Sequence, residues 1–380
     1  MIYREIAGRD AISGRSIRVR IEEDRIFSVV PSPREESVWV SPGLVDVQVN
    51  GYGGCDVNSD SVDPDVILAL ARKLRQGGVT TFIPTIITAS EEKIVKALRA
   101  IADARLHDEL TAHSIPFVHV EGPHLSPEDG PRGAHPREHI RPPDFNELRR
   151  WQSACGHLVG MVTISPHWAG AAEYISAAVA EEVRVAIGHT QATPEQVHMA
   201  ADAGATLSTH LGNGLSDPLP RHPNLLWAQL ADDRLMASFI ADGHHLPDDI
   251  LKTMIRAKGV ERSLLISDAV ALAGMKPDFY NTPVGGRVEL HANGRLNIAD
   301  TNFLAGAVRP LKDGIAHLVT TIGLGLGDAL RMACGNPGRM VGKRGTLLPG
   351  SIADLVQFTF DPVRQNLQVE TVLVRGVEGA

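Results

Sequence analysis

A chain of 380 residues is longer than a single hydrophobic core usually spans, so a large unit with a smaller module, or two domains, is expected. With 43% apolar and 22% charged residues the composition is that of a globular enzyme, and a net charge of −8 without any dense Lys/Arg run excludes a nucleic-acid surface. Three widely spaced cysteines argue against a disulfide framework, no run approaches the roughly 20 apolar residues of a membrane span, and MIYREIAGRD lacks the apolar core of a secretion signal. A cytoplasmic location follows as the expectation.

The first 40 residues read as short strands joined by tight turns, with the alternation of IRVRIEED marking a half-buried antiparallel sheet. From Leu44 the pattern changes to buried strand, loop and helix, repeated. Eight apolar runs follow one another: LVDVQV, VTTFIP, FVHVEG, MVTISP, VRVAIG, TLSTHL, LMASFIAD and SLLISDA. Amphipathic stretches such as DPDVILALARKLRQGG and SEEKIVKALRAIADARL lie between them. Thr193-Pro194-Glu195-Gln196 predicts a helix start, with Thr as cap, Pro at the first position and Gln closing a capping box. Eight such units predict an α/β fold, a (β/α)8 TIM barrel over residues 43–342. The tail, GTLLPGSIADLVQFTF and ETVLVRGVEG, returns to strands and resembles the opening segment in kind. Residues 1–42 and 343–380 are therefore expected to form one small β-sandwich domain.

Six polar residues stand where an apolar run stops: Gln48, Glu121, His189, His210, His245 and Asp268. A buried strand needs continuous apolar residues, whereas a ligand or proton carrier needs a polar tip at a rigid strand's end. Glu121 would be costly if buried alone; it could cap a loop amide, pair with an arginine or hold a cation. A lone histidine is more often a satisfied core residue, but His189 and His210 with Glu121 on the third, fifth and sixth strands make a His2Glu set suited to zinc. Asp268 would move the proton of a water made acidic by that cation, or else cap the segment that follows. His245 could steady a developing oxyanion, with His244 beside it as the competing candidate. Gln48-Val49-Asn50 stands where many hydrolase barrels carry His-x-His, and the fourth run has no lysine. Amides are poor ligands, so one metal ion rather than two is expected. Two long loops rich in Pro, Gly and His, after the third and sixth strands, leave the ends where barrel enzymes place their chemistry.

PGLVDVQVNGYGG, HVEGPHLSPEDGPRGAHP, IGHTQAT, THLGNG, FIADGHH and ISDAVALAG, with GGVTTFIPTIIT and GTLLPGSIADLVQF, resemble the N-acetylglucosamine-6-phosphate deacetylases of the amidohydrolase superfamily, in order and spacing along nearly the whole chain. The resemblance implies deacetylation of an N-acetylated sugar phosphate by a homodimer. It makes Glu121, His189 and His210 ligands of one divalent cation, with Zn2+ expected and Fe2+ the alternative. Asp268 becomes the catalytic acid/base and His245 the group that polarises the acetamide carbonyl. Ala134, His135, Asn213, Gly214, Leu304, Ala305 and Gly306 fall at substrate contacts, and Arg221 at an arginine that reaches the sugar phosphate from the neighbouring subunit. A guanidinium fork suits a phosphate. The departures lie in the substrate loops: THLGNGL replaces an aromatic-bearing THLYNAM, and His167 stands where an acidic residue is common. A hydrolase of another N-acyl compound, such as N-acetylgalactosamine-6-phosphate or an N-acyl amino acid, is the first alternative. A barrel that has lost catalysis is the second.

Overall fold

The computed structural model describes residues 3–282 and 285–378. The eight apolar runs are eight parallel strands: β1 (Leu44–Val49), β2 (Val79–Ile87), β3 (Val118–Glu121), β4 (Val159–Ile164), β5 (Arg184–Ile187), β6 (Leu207–Ser208), β7 (Met236–Ile240) and β8 (Ser263–Ile266). They lie side by side in chain order. Between β8 and β1 the ring is drawn together just beyond the strands: Val49 bridges Ala269, Asp268 N–H donates to Gln48 O (3.1 Å), and Asn50 N–H donates to Ala269 O (2.9 Å). Val45, Val47, Ile83, Met161, Leu264 and Ile266 fill the interior, so the barrel is a packed core with chemistry only at its mouth.

The helices form where the periodicity places them. In Pro64–Gln76 the buried residues Ile67, Leu70, Ala71 and Leu74 make one stripe, and Asp63 caps the first turn by accepting from Val66 N–H. The capping box at Thr193 is present in both directions.

Both chain ends enter one seven-stranded sheet, ordered Val377–Glu378, Asn366–Val374, Leu355–Asp361, Trp39–Pro42, Tyr3–Asp10, Ser16–Glu22 and Arg25–Pro31. It curls over itself, since Arg25 at its far edge bridges Ile352, and it encloses Ile6, Val19, Ile21, Val40, Leu355 and Leu373.

One element has no counterpart among the expected strands. A three-stranded antiparallel sheet, Asp278–Thr282, Gly286–Leu290 and Leu296–Ile298, follows β8, and Thr282 and Leu296 from it border the barrel mouth. Its first strand buries no residue fully, so it carries no apolar run to betray it.

Candidate active site

The strand ends open into a cavity of about 330 Å3. Glu121, His189, His210, His245 and Asp268 all line it, although 147 residues separate the first from the last in the chain (268 − 121). Gln48 is buried behind Glu121 and donates Nε2–H to its Oε1 at 3.0 Å.

Local backbone geometry turns the strand-end side chains toward one another. His189, His210 and Asp268 have φ of 48°, 27° and 50°, in the left-handed region that residues with a Cβ avoid. Each costs about 1–3 kcal/mol and persists because the surrounding packing dictates it. Gly214 is the counterpart, for a Cβ there would lie 2.7 Å from His189 Nδ1.

The carboxylate and the two imidazoles converge. Glu121 Oε1 lies 3.0 Å from His210 Nε2 and 3.4 Å from His189 Nε2, and one donor atom from each residue falls within 4.8 Å of the others. His189 Nδ1 sits 2.8 Å from Pro131 O; donation to that carbonyl keeps the proton on Nδ1 and leaves Nε2 a lone pair for the cluster. Burial pushes the Glu121 carboxyl up, but the hydrogen bonds and charges of His189 and His210 pull it well below the usual range. A buried anion between two imidazoles, without a cysteine, is a donor set that fits a divalent cation. Asn50 and Gln48 do not join it as ligands: each donates to a carboxylate, Asn50 Nδ2–H to Asp268 Oδ1 at 2.8 Å.

Asp268 is half-buried at the cavity wall, and desolvation together with the Glu121 charge pushes its carboxyl up to about 6, close to the range of a proton carrier. The two adjacent histidines separate cleanly. His245 lines the cavity, with Nδ1 2.7 Å from Asp242 Oδ2, while the His244 ring turns away to Asn293 O at 3.2 Å. Asp242 Oδ1 also accepts the N–H groups of His244 and His245 at 2.8 and 2.9 Å. Burial pushes the Asp242 carboxyl up, but His245 and these N–H groups bring it far below the ordinary carboxylate range, so it stays charged. Sequence reasoning missed Asp242; its signal was a carboxylate closing the apolar run of β7.

Ala134, His135, Asn213, Gly214, Leu304, Ala305 and Gly306 also line the cavity. His135 is buried between Thr88 Oγ1 (2.9 Å from Nδ1) and His189 Nε2 (3.2 Å from Nε2). Arg221 is not brought in: it is exposed, on the loop of residues 212–224. His167 lies outside too, bonded to Ser165 Oγ at 2.6 Å. Among the described residues no lysine or arginine lines the cavity.

Comparison with known proteins agrees with this geometry. Residues 39–378 match the amidohydrolase family. The N-acetylgalactosamine-6-phosphate deacetylase of Escherichia coli is 32% identical, covering 94% of this chain and 93% of its own. The N-acetylglucosamine-6-phosphate deacetylase of Bacillus subtilis is 30% identical, covering 84% and 80%. A solved structure of a mutant N-acetyl-D-glucosamine-6-phosphate deacetylase from Mycobacterium smegmatis, in complex with N-acetyl-D-glucosamine-6-phosphate, superposes with a TM-score of 0.88 at 30% identity, covering 100% of this chain and 99% of that one. The chain belongs to the amidohydrolase family, in its N-acetylglucosamine-6-phosphate deacetylase branch.

Proposed function

We propose that the protein hydrolyses the acetamide of N-acetylglucosamine-6-phosphate to glucosamine-6-phosphate and acetate, as a step in amino-sugar breakdown. The observation that carries the reading is one cavity lined by the Glu121–His189–His210 cluster, Asp268 and His245, with Asp242 buried behind His245. Glu121, His189 and His210 would hold one divalent cation, Zn2+ in preference to Fe2+. When bound, such a cation supplies positive charge that acidifies water and polarises a carbonyl.

The remaining chemistry belongs to the chain's own groups. Asp268, held at Oδ1 by Asn50, takes a proton from the attacking water on its other oxygen. The water oxygen bonds to the acetamide carbon as the carbonyl opens, and His245 stabilises the charge that gathers on the carbonyl oxygen. Asp268 then returns the proton to the nitrogen as the C–N bond breaks. Asp242 fixes the imidazole plane of His245, and Gln48 fixes the carboxylate of Glu121.

A phosphate dianion needs a cation, and among the described residues none lines the cavity. We therefore assign Arg221 of a second copy to the phosphate, in a homodimer. Among the described residues no helix is long and apolar enough to cross a membrane, and a cytoplasmic location belongs to the same reading.

A second substrate has its own support: the 32% identical E. coli relative is an N-acetylgalactosamine-6-phosphate deacetylase. Acetate release from the zinc-loaded protein, measured on N-acetylglucosamine-6-phosphate, N-acetylgalactosamine-6-phosphate and both unphosphorylated sugars, decides between them. Turnover restricted to a phosphorylated sugar is expected. Absence of acetate from both phosphates overturns the reading, and equal rates on the unphosphorylated sugars overturn the phosphate site.

A further inference from the structure

Three carboxylates line the cavity: Asp56, Glu121 and Asp268. Glu121 belongs to the cation cluster and Asp268 to proton transfer. Asp56 has no part in either, and no sequence motif singles it out.

Its position is rigidly set. Gly51–Tyr52 and Cys55–Asp56 form a tight hairpin directly after β1. The two turn residues, Gly53 and Gly54, have φ of 59° and 86°, which only glycine adopts freely. Asn58 then ties the segment to β2, donating Nδ2–H to Thr85 O at 3.0 Å and accepting from Ile87 N–H at 2.9 Å. Asp56 Oδ1 accepts the Asn58 N–H at 2.8 Å. Among the described residues nothing donates a hydrogen bond to Oδ2. The nearby ammonium of Lys93 is engaged with Asp60 instead, at 2.8 Å.

An ionised carboxylate in a partly dehydrated wall with one free oxygen is costly until a donor reaches it. Burial accordingly pushes the Asp56 carboxyl up. The bound molecule has to supply that donor. Phosphate oxygens are acceptors and carry charge of the same sign, so the phosphate is repelled from this wall. The hydroxyls of a sugar ring are donors, and a carboxylate facing one rejects a ligand that lacks it.

Resting on the proposed deacetylase reading, we infer that Asp56 Oδ2 accepts a hydrogen bond from a ring hydroxyl of the amino sugar and is a specificity-determining residue of this enzyme. The contact orients the ring, with the acetamide at the Glu121 cluster and the phosphate directed away from the Asp56 wall.

The test pairs Asp56→Ala with substrates deleted at one hydroxyl. Kinetics are measured for wild type and variant on N-acetylglucosamine-6-phosphate and its 1-, 3- and 4-deoxy analogues. On the full substrate, Asp56→Ala should lower kcat/KM roughly tenfold to a hundredfold, the loss of a hydrogen bond to a charged group. For one deoxy analogue the wild type should fall by the same factor and the variant no further, because both changes delete one contact. Losses that multiply for all three analogues overturn the inference while leaving the deacetylase reading intact. A wild type inactive on every sugar phosphate removes that reading and Asp56 with it. Asp56→Asn, which keeps an acceptor for the Asn58 N–H, repeats the comparison if Asp56→Ala fails to fold. Equal metal content and melting temperature certify the variant used.

Discussion

Asp242→Asn isolates what the buried carboxylate does for His245, the histidine proposed to act at the acetamide carbonyl. The side chains of His245 and Asp242 are 12% and 4% exposed, so water does not replace a lost partner easily. An asparagine keeps an oxygen for the two backbone N–H groups at 2.8 and 2.9 Å, so the loop after β7 should hold its shape. What changes is the atom 2.7 Å from His245 Nδ1, which turns from a charged acceptor into an N–H donor. The ring must then move its proton to the other nitrogen or rotate. A hydrogen bond to a charged group is worth about 1.5–3 kcal/mol, and each 1.4 kcal/mol is about tenfold, so kcat should fall roughly 10- to 150-fold. KM and metal content should stay near wild type, because neither the cation cluster nor the sugar contacts are touched. Acetate release at saturating substrate measures the loss. The same substitution made in a His245→Ala background should cost almost nothing, since asparagine keeps the backbone hydrogen bonds and what it removes acts through that ring. An unchanged kcat in the single variant, or a full second loss in the double variant, would refute the reasoning.

Asp268→Asn should retain the fold and the metal while losing about 10²- to 10⁴-fold in kcat, the usual contribution of a positioned proton carrier. Metal analysis beside steady-state kinetics checks it, and near-wild-type turnover would remove Asp268 from the mechanism. Asp46 offers a separate test through stability. It lies fully buried at the β8–β1 seam, where its Oδ1 accepts Ser267 N–H at 3.2 Å and Gln48 N–H at 3.4 Å. Burial pushes its carboxyl up to about 7 despite those bonds. The folded state thus binds a proton that the unfolded chain, with its carboxyl near 3.8, has already released. Its contribution is favourable below pH 3.8 and is lost as pH rises through about 7. Asp46→Asn, neutral at every pH, should therefore be more stable than wild type at pH 8 by at most about 4 kcal/mol, an advantage that shrinks toward pH 4. Urea unfolding at several pH values follows it, and a pH-independent difference would contradict this account.

The barrel was legible because its signal is local. Each strand is an apolar run, each helix has a stripe and a cap, and a polar residue at the end of a run stands out from its neighbours alone. That is why Glu121, His189, His210 and Asp268 are conspicuous in the amino-acid sequence by itself, and why the Thr193 capping box sits where the four letters put it. The resemblance carried the expected substrate-binding residues, most of which line the cavity, while Arg221 lies outside it within one chain.

Tertiary structure decided what depends on partners distant in sequence. His244 and His245 are indistinguishable as letters, and only the fold turns one ring to Asp242 and the cavity and the other to Asn293. Gln48 and Asn50 read as lost ligands, yet they serve as donors to Glu121 and Asp268, across 73 and 218 residues of chain. Of its apolar residues the sheet at the barrel mouth buries only Val288, Leu290 and Leu296, from its short second and third strands, and its first strand buries no residue fully, so it shows no continuous apolar run. Periodicity records which side of an element is buried, since burial is repaid residue by residue. Which atom meets which at the mouth depends on how eight strand ends close into a ring, and no single segment contains that information.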